Sequence, residues 1–155
     1  HHHTTRMMCR NIASVKELGR TLDVGCGTGV LSIAALKFGA ESVVAVDIDP
    51  WSTKSAEEAA ELNGLDSKME IVLGTVEAVD GRRFDTILAN INRNIILADL
   101  DHYNKALTPG GHLILSGFLR QDVEAIVSAC TERGMTLVSN VEEEDWVSLK
   151  LIKQK

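Results

Sequence analysis

Short apolar stretches alternate with longer amphipathic ones along most of the chain. The short stretches have the length and composition of buried strands and lie at 21–24, 42–46, 69–73, 84–89 and 112–116. The longer ones predict helices over 6–18, 30–38, 50–63, 91–107 and 120–133. Most of these helices end at a glycine, and the fourth is predicted to end before Pro109-Gly110-Gly111. A short helix or loop around Glu77 separates the third strand from the fourth.

This alternation changes after Gly134. Segments 136–141 and 146–152 have strand character, and the acidic run at 142–145 between them is too short for a crossover helix, so they predict an antiparallel hairpin. Strands that alternate with helices predict an α/β fold of the Rossmann-like, doubly wound type, with a mainly parallel sheet and one reversed strand near an edge. The acidic run is typical of a solvated turn, although it could also attract a basic substrate.

Length and composition bound the class of protein. A chain of 155 residues with 45% hydrophobic content suits a single domain, 1–155. A formal charge of −6 and 4% aromatic content argue against direct binding to DNA or RNA. The three cysteines indicate neither a disulfide framework nor a zinc site. No apolar run approaches the ~18 residues of a membrane span and no signal segment opens the chain, so a cytoplasmic location without membrane association is expected.

The first strand runs into a glycine turn that indicates a nucleoside ligand. Gly25, Gly27 and Gly29 occupy every second position, and Val30 stands where a dinucleotide fingerprint needs its third glycine. A cradle for pyrophosphate is therefore disfavoured. S-adenosylmethionine fits this turn because it has an adenosine and an amino-acid end but no phosphate. Asp23, at the end of the strand, is expected to lie beneath the turn as a fixed anion.

Polar side chains follow two other predicted strands. Asp47 lies at roughly the spacing of about 20 residues expected for a ribose-binding acid, although Asp47 or Asp49 could instead cap the helix at Trp51. Asn90 has the donors and the acceptor to hold the amino-acid end of a cofactor or to orient an incoming amine. Asn92 is a weaker candidate, and either asparagine could serve as a helix cap.

Several of these stretches resemble a known family, the bacterial methyltransferases that modify the eleventh protein of the large ribosomal subunit. The resemblance covers nearly the whole chain and rests on HHTT (2–5), LDVGCGTGVLSIAALK (22–37), DIDP (47–50), ANI (89–91), PGG (109–111) and LSGF (115–118). Three leading histidines are otherwise typical of a purification tag, and His1 stays open between the two interpretations. The glycine turn marks only the broad methyltransferase class, whereas the threonine pair, Asn90-Ile91 and the LSG segment are more specific.

The resemblance implies a seven-stranded class I methyltransferase domain with S-adenosylmethionine as cofactor and S-adenosylhomocysteine as product. It also implies that a small amino-terminal domain, which captures the ribosomal protein in this family, is absent from these residues. Thr75 departs from the acid that many methyltransferases place near the adenine, and Glu77 or the backbone at Val76 is the expected substitute. The complete set of expected cofactor contacts is Thr5, Asp23, Gly25, Cys26, Gly27, Gly29, Asp47, Ile48, Val76 and Asn90.

The expected reaction is methyl transfer to lysine or amino-terminal amines of a ribosomal protein. Asn90, with Asn92 as the second candidate, is expected to orient a neutral amine toward the methyl group, and no metal is required. Two alternatives stay open at this point. One is a class I methyltransferase that acts on nucleic acid or a small molecule, and the other is a fragment that binds the cofactor without catalysis. A dehydrogenase is disfavoured by the missing third glycine.

Overall fold

The computed structural model describes residues 2–155, with side chains from His3 onward, so the question of His1 lies outside it. The helices are α1 (His2–Ala13), α2 (Val30–Lys37), α3 (Pro50–Leu62), α4 (Arg93–Ala106) and α5 (Val123–Glu132). The strands are β1 (Arg20–Val24), β2 (Ser42–Asp47), β3 (Met69–Leu73), β4 (Phe84–Asn90), β5 (Leu107–Leu119), β6 (Met135–Glu143) and β7 (Trp146–Lys153). Short 3-10 turns occupy Asp66–Lys68, Val76–Val79 and Arg120–Asp122.

All seven strands form one sheet in the order β3-β2-β1-β4-β5-β7-β6. The pairs from β3 through β5 are parallel, whereas β7 runs antiparallel to both β5 and β6. The predicted fold class is therefore confirmed, including the single reversed strand beside an edge. The strand order reverses between β1 and β4, and a sheet of this kind binds its ligand at the carboxyl ends of the strands at that point.

Helices cover both faces of the sheet because successive strand residues point to opposite sides. In β2, for example, Val43 and Ala45 face the side that α2 and α3 cover, whereas Val44 and Val46 face the side that α4 and α5 cover. A strand buried on both faces needs apolar residues at every position, which explains why its sequence shows no alternation.

The largest differences from the predicted element boundaries are in the first helix and the fifth strand. The first helix was expected over 6–18 but ends at Ala13. Val15 and Leu18 nevertheless pack in the same buried cluster as Met8 and Ile12, so their apolar spacing reflects burial of the connecting loop.

The fifth strand also begins earlier than expected, at Leu107. It includes Pro109, Gly110 and Gly111, which were expected to separate the fourth helix from this strand. Its pairing with β4 shifts register between Phe84 and Thr86, and this irregularity accommodates Pro109 and Gly110.

Within residues 2–155, the helices are all too short or too polar to cross a membrane. The same part of the chain contains no cluster of three or more histidine, cysteine or acidic side chains arranged to hold a metal ion.

Candidate functional site

The glycine turn between β1 and α2 crosses over to the end of β2. The amides of Gly25 and Cys26 both donate to the carbonyl of Val46, at 2.8 and 3.0 Å. The Gly27 amide donates to Asp47 Oδ2 at 2.9 Å, and a Cβ at Gly27, where φ is +54°, would meet nothing within 4 Å. The turn therefore presents open backbone beside the carboxylate of the next strand.

Asp47 connects the glycine turn to the loop that follows β2, because its carboxylate accepts hydrogen bonds from both. Its second oxygen, Oδ1, accepts from the Asp49 amide at 2.9 Å. Since each carboxylate oxygen has two lone-pair sites, Asp47 can still accept hydrogen bonds from a ligand. Asp49 is the residue that caps α3, because its side chain accepts from the Trp51 amide at 3.0 Å. The capping alternative is thus confirmed for Asp49, while Asp47 faces the cavity described next.

A cavity of about 570 Å³ opens between the end of β2, the β3–β4 connection and α4. Ile48 and Ile95 line it although they are 71% and 44% exposed, so both present apolar surface without a protein neighbour to cover it. The lining residues are Val24, Gly25, Val46, Asp47, Ile48, Gly74, Thr75, Val76, Glu77, Ile91, Asn94, Ile95, Ala98 and Asp99. Apolar walls beside the Asp47 carboxylate fit the adenosine part of S-adenosylmethionine, whose flat ring is largely apolar and whose ribose donates hydrogen bonds.

Some of the predicted cofactor contacts line this cavity and the others lie outside it. The lining contains Gly25, Asp47, Ile48 and Val76. Gly29 begins α2 with φ at +85°, and a Cβ there would lie 3.2 Å from Ala56 Cβ and from Met69 Cε, so this glycine permits helix packing. The Cys26 side chain is buried, and burial raises the pKa of its thiol to about 12, which keeps it neutral.

Asp23 differs from the fixed anion that the sequence predicted. Its side chain is 1% exposed, and its Oδ2 accepts a hydrogen bond from the Ser32 hydroxyl at 2.6 Å. Burial raises the pKa of Asp23 to about 7; the nearby charge of Asp47 adds to this, and the Ser32 hydrogen bond opposes it. Asp23 therefore braces β1 against α2, and its charge changes around neutral pH.

Asn90 lies where α1 meets the end of β4. Its amide Nδ2 donates to Thr4 Oγ1 at 3.4 Å, and the amide of the next residue, Ile91, donates to the Ser116 carbonyl at 3.0 Å. Thr5 follows Thr4 in the first turn of α1, and it is half-buried. The structure thus brings the threonine pair and Asn90 together at one edge of the sheet.

A bulge in β5 allows this close approach. The pairing of β5 with β7 shifts register between Ser116 and Phe118, and Gly117 between them has a φ of +100°. A Cβ at Gly117 would lie 2.5 Å from the Ile91 carbonyl oxygen, which only glycine avoids.

The acidic run at 142–145 forms ion pairs within the protein. Glu143 pairs with Arg6 and with His3 Nδ1, the latter at 2.9 Å, and these partners lower the pKa of Glu143. Arg120 pairs with both Glu142 and Asp145 on the other side of the turn. Glu142, Glu144 and Asp145 are exposed at the β6–β7 turn, as expected for a solvated turn. The ion pairs in addition connect the hairpin to α1 and to the 3-10 turn that precedes α5.

Asn92 caps α4, because its Oδ1 accepts from the Ile95 amide at 3.1 Å. This confirms the capping alternative for Asn92 and leaves its catalytic role a prediction. Asn92 also lines a second cavity of about 420 Å³, together with Phe118 and Trp146. Asn94 lines both cavities, so the two flank the start of α4.

Sequence reasoning missed the contribution of α4 to the first cavity. Ile95 and Asp99 are four residues apart and share a face, next to the buried positions Ile96 and Leu100. An isoleucine beside the buried stripe was the available signal, but periodicity alone does not show what that isoleucine faces.

Comparison with known proteins gives consistent matches. The sequence model of a family described as ribosomal protein L11 methyltransferase (PrmA) matches residues 1–154. A protein of that name from Phocaeicola vulgatus is 38% identical over 154 residues, which are 98% of this chain and 54% of that protein. One from Porphyromonas gingivalis is 40% identical over 152 residues, or 97% and 52%. The chain spans about half the length of these curated relatives.

A solved structure is similar over nearly all of this chain. The ribosomal protein L11 methylase from Lactobacillus delbrueckii subsp. bulgaricus matches with a TM-score of 0.90 at 34% identity. The match covers 98% of this chain and 79% of that one.

Proposed function

The chain belongs to the ribosomal protein L11 methyltransferase family, and on that premise we propose that it transfers a methyl group from S-adenosylmethionine to amines of a ribosomal protein. In this proposal residues 1–155 form the catalytic domain. The observation that carries it is Asp47, which faces an apolar cavity beside an open glycine turn. A ribose hydroxyl at this carboxylate makes a charge-assisted hydrogen bond, the stronger kind.

The adenosine occupies the larger cavity in this proposal. Asp47 accepts from the ribose, Ile48 and Ile95 enclose the base, and Val76 contributes the backbone at the rim. The amino-acid end extends along the glycine turn toward Thr5 and Asn90. These assignments are supported by the position of each residue around the cavity and by the exposed apolar surface of the two isoleucines.

The amine substrate enters through the smaller cavity, which Asn92, Phe118 and Trp146 line. This cavity and the adenosine cavity lie on opposite sides of the first turn of α4 in this proposal. Entry from this side keeps the substrate clear of the adenosine and brings it to the end of β4. The Asn90 side chain, now donating to Thr4, has a carbonyl oxygen that can accept from the amine and orient its lone pair.

The bound cofactor supplies an electrophilic methyl group, and the protein residues align the acceptor. A lysine amine has a pKa of about 10.4 in water and must lose its proton before it attacks. Partial desolvation in the cavity favours the neutral amine, and water can take up the released proton. Alignment then contributes most of the rate, since the reacting atoms must approach in line.

Calorimetric titration with S-adenosylhomocysteine followed by a transfer assay tests the proposal. Asp47→Ala removes the ribose acceptor and also frees two backbone amides, so we expect affinity to fall roughly 30-fold or more. Asp49→Ala is the matched control, because it removes the neighbouring carboxylate and weakens only the cap of α3. Equal affinity in the Asp47 variant and the unmodified protein would refute the site.

The transfer assay offers labelled S-adenosylmethionine with either ribosomal protein L11 or protein-free ribosomal RNA. We expect label in the protein and none after Asp47→Ala. The relatives are about twice as long as this chain, so the assay is run both on this chain and on a longer form that includes a capture domain. Label in RNA alone would establish the nucleic-acid alternative, and tight binding without transfer in either form would establish the binding-only alternative.

A further inference from the structure

The larger cavity contains three carboxylates, Asp47, Glu77 and Asp99, and no motif identifies Asp99. We infer that Asp99 on α4 accepts a hydrogen bond from the exocyclic amino group of the adenine ring and so selects a 6-aminopurine cofactor. This inference rests on the proposed function, because it assigns a further contact for the same cofactor.

The placement of Asp99 relative to Asp47 is the first reason. Asp47 lies at the end of β2, whereas Asp99 lines the same cavity from α4, which packs against the 3-10 turn Val76–Val79. A ribose held at Asp47 leaves the base to extend between Ile48 and Ile95. Asp99 is one helical turn beyond Ile95 on the same helix face, so its carboxylate can reach the edge of a base that Ile95 covers.

The other polar groups of this part of the cavity are already engaged. The Thr75 hydroxyl accepts from the Glu77 amide at 3.3 Å and caps the 3-10 turn. The Glu77 carboxylate is 71% exposed and approaches His102 at 3.9 Å, and His102 also pairs with Asp80 at 3.1 Å. Glu77, the substitute expected from the sequence, is therefore directed partly toward solvent and a histidine.

Asp99, by contrast, forms no ion pair with any described residue, although it is half-buried. The buried Tyr103 hydroxyl lies one turn further along α4 and interacts with Asp99, and a carboxylate that accepts from one hydroxyl keeps further lone-pair sites. Burial raises the pKa of Asp99, and the charge of His102 and the Tyr103 hydroxyl oppose that rise. Burial also raises the pKa of Tyr103, and the charge of Asp99 adds to this. A half-buried carboxylate that forms no ion pair gains stabilisation from a ligand that donates a hydrogen bond.

Adenine offers such a donor, whereas a 6-oxopurine offers a carbonyl oxygen that a carboxylate repels. A site that accepts from the amino group therefore discriminates against the oxo analogue. The matched ligands are S-adenosylhomocysteine and S-inosylhomocysteine, which differ at that group and in the protonation of the neighbouring ring nitrogen. The quantity to measure is the ratio of their dissociation constants, which a general loss of folding stability leaves unchanged.

Calorimetry at pH 8 on the unmodified chain, Asp99→Leu and Asp99→Asn tests the inference. We expect the unmodified protein to bind the adenosyl ligand at least tenfold more tightly than the inosyl ligand. Asp99→Leu is expected to reduce this ratio to about one, because it weakens the adenosyl complex and removes the repulsion from the inosyl complex. Asp99→Asn can turn an amide nitrogen toward an oxo group, so it is expected to strengthen the inosyl complex. Because this substitution preserves the size of the side chain, it tests the inference even if the leucine variant does not fold.

Two control variants locate the effect. Asp101→Asn removes a carboxylate of the same helix that pairs with Arg133, and Glu77→Gln neutralises the competing acid of the cavity. Both are expected to keep the full ratio. Retention of the ratio in the Asp99 variants, or its loss in Glu77→Gln, would overturn the inference while leaving the Asp47 result intact. Failure of the unmodified chain to bind either ligand would instead refute the proposed function together with this inference.

Discussion

At the scale of single residues, the environment of a carboxyl group decides its role more than its place in a motif. Asp23 and Asp47 end neighbouring strands, yet Asp23 is buried against Ser32 while Asp47 faces a cavity. Burial penalises the charged form, so the pKa of Asp23 rises to about 7. The same residue type thus serves as an internal brace in one strand and as a binding group in the next.

The raised pKa of Asp23 makes stability depend on pH. The unfolded chain ionises this group near pH 4, whereas the folded chain does so only near 7. Between these values the free energy of unfolding falls as pH rises, because the unfolded state binds fewer protons. Asp23→Asn removes this titration and can retain the hydrogen bond from Ser32.

We therefore expect the Tm of Asp23→Asn, relative to that of the unmodified protein, to rise by roughly 10 °C between about pH 4 and pH 8. Thermal unfolding followed by circular dichroism at several pH values measures the difference. Asp66→Asn, at an exposed position, controls for loss of a carboxyl. A difference that stays constant over this range would show that Asp23 titrates normally.

At the scale of elements, the site depends on contacts between segments that are distant in sequence. The bulge at Gly117 lets β5 pass under Ile91, and the β6–β7 hairpin holds the first turn of α1 through Glu143. Both contacts fix the segment that contains Thr4 and Asn90. The geometry of the predicted cofactor contacts therefore also depends on Gly117 and Glu143, which do not line the cofactor cavity.

Gly117→Ala is expected to damage the site much more than Gly39→Ala. Both glycines have similar backbone angles, with φ at +100° and +106°, so both substitutions strain the chain. Only the Gly117 substitution also drives a methyl group into the Ile91 backbone, whereas a Cβ at Gly39 meets nothing within 4 Å.

We expect Gly117→Ala to cost about 2 kcal/mol more than Gly39→Ala in the free energy of unfolding, measured with urea. Binding of S-adenosylhomocysteine should weaken in Gly117→Ala and stay unchanged in Gly39→Ala. Equal costs for the two variants would mean that β5 moves away from Ile91 without penalty.

Glu143→Gln tests the attachment of α1 to the hairpin. The variant loses its charge toward His3 and Arg6, and an exposed ion pair contributes little to global stability. We expect the Tm to change little while the amides in the second turn of α1, which donate to the carbonyls of the first turn, exchange with solvent roughly threefold faster, measured by hydrogen exchange with mass spectrometry. Glu70→Gln, which breaks the pair with Arg82 elsewhere, should leave that exchange unchanged. Identical exchange in both variants would rule out the attachment.

At the scale of the whole molecule, local patterns predicted the sheet because the strands are short apolar runs, the helices are longer amphipathic stretches, and glycines mark many of the turns between them. The reversed strand was predictable because the acidic run is too short for a crossover helix. The contribution of α4 to the cavity was not predictable, because Asp99 reaches its position only through the packing of α4 against the Val76–Val79 turn. Burial of Val15 and Leu18 in a loop was equally invisible, because a buried loop and a helix can share the same apolar spacing.

The insertion of β7 between β5 and β6 has a consequence for how the protein acquires its structure. Strand β6 precedes β7 in the chain, yet within the described sheet it pairs with β7 alone. Until β7 has been synthesised and has added to β5, β6 has no backbone partner and presents an open edge. The half of the sheet from β3 to β5 can assemble earlier from parallel units. The ion pairs of Glu143 with the first residues of α1 need the completed hairpin, so they are expected among the last contacts to form during biosynthesis.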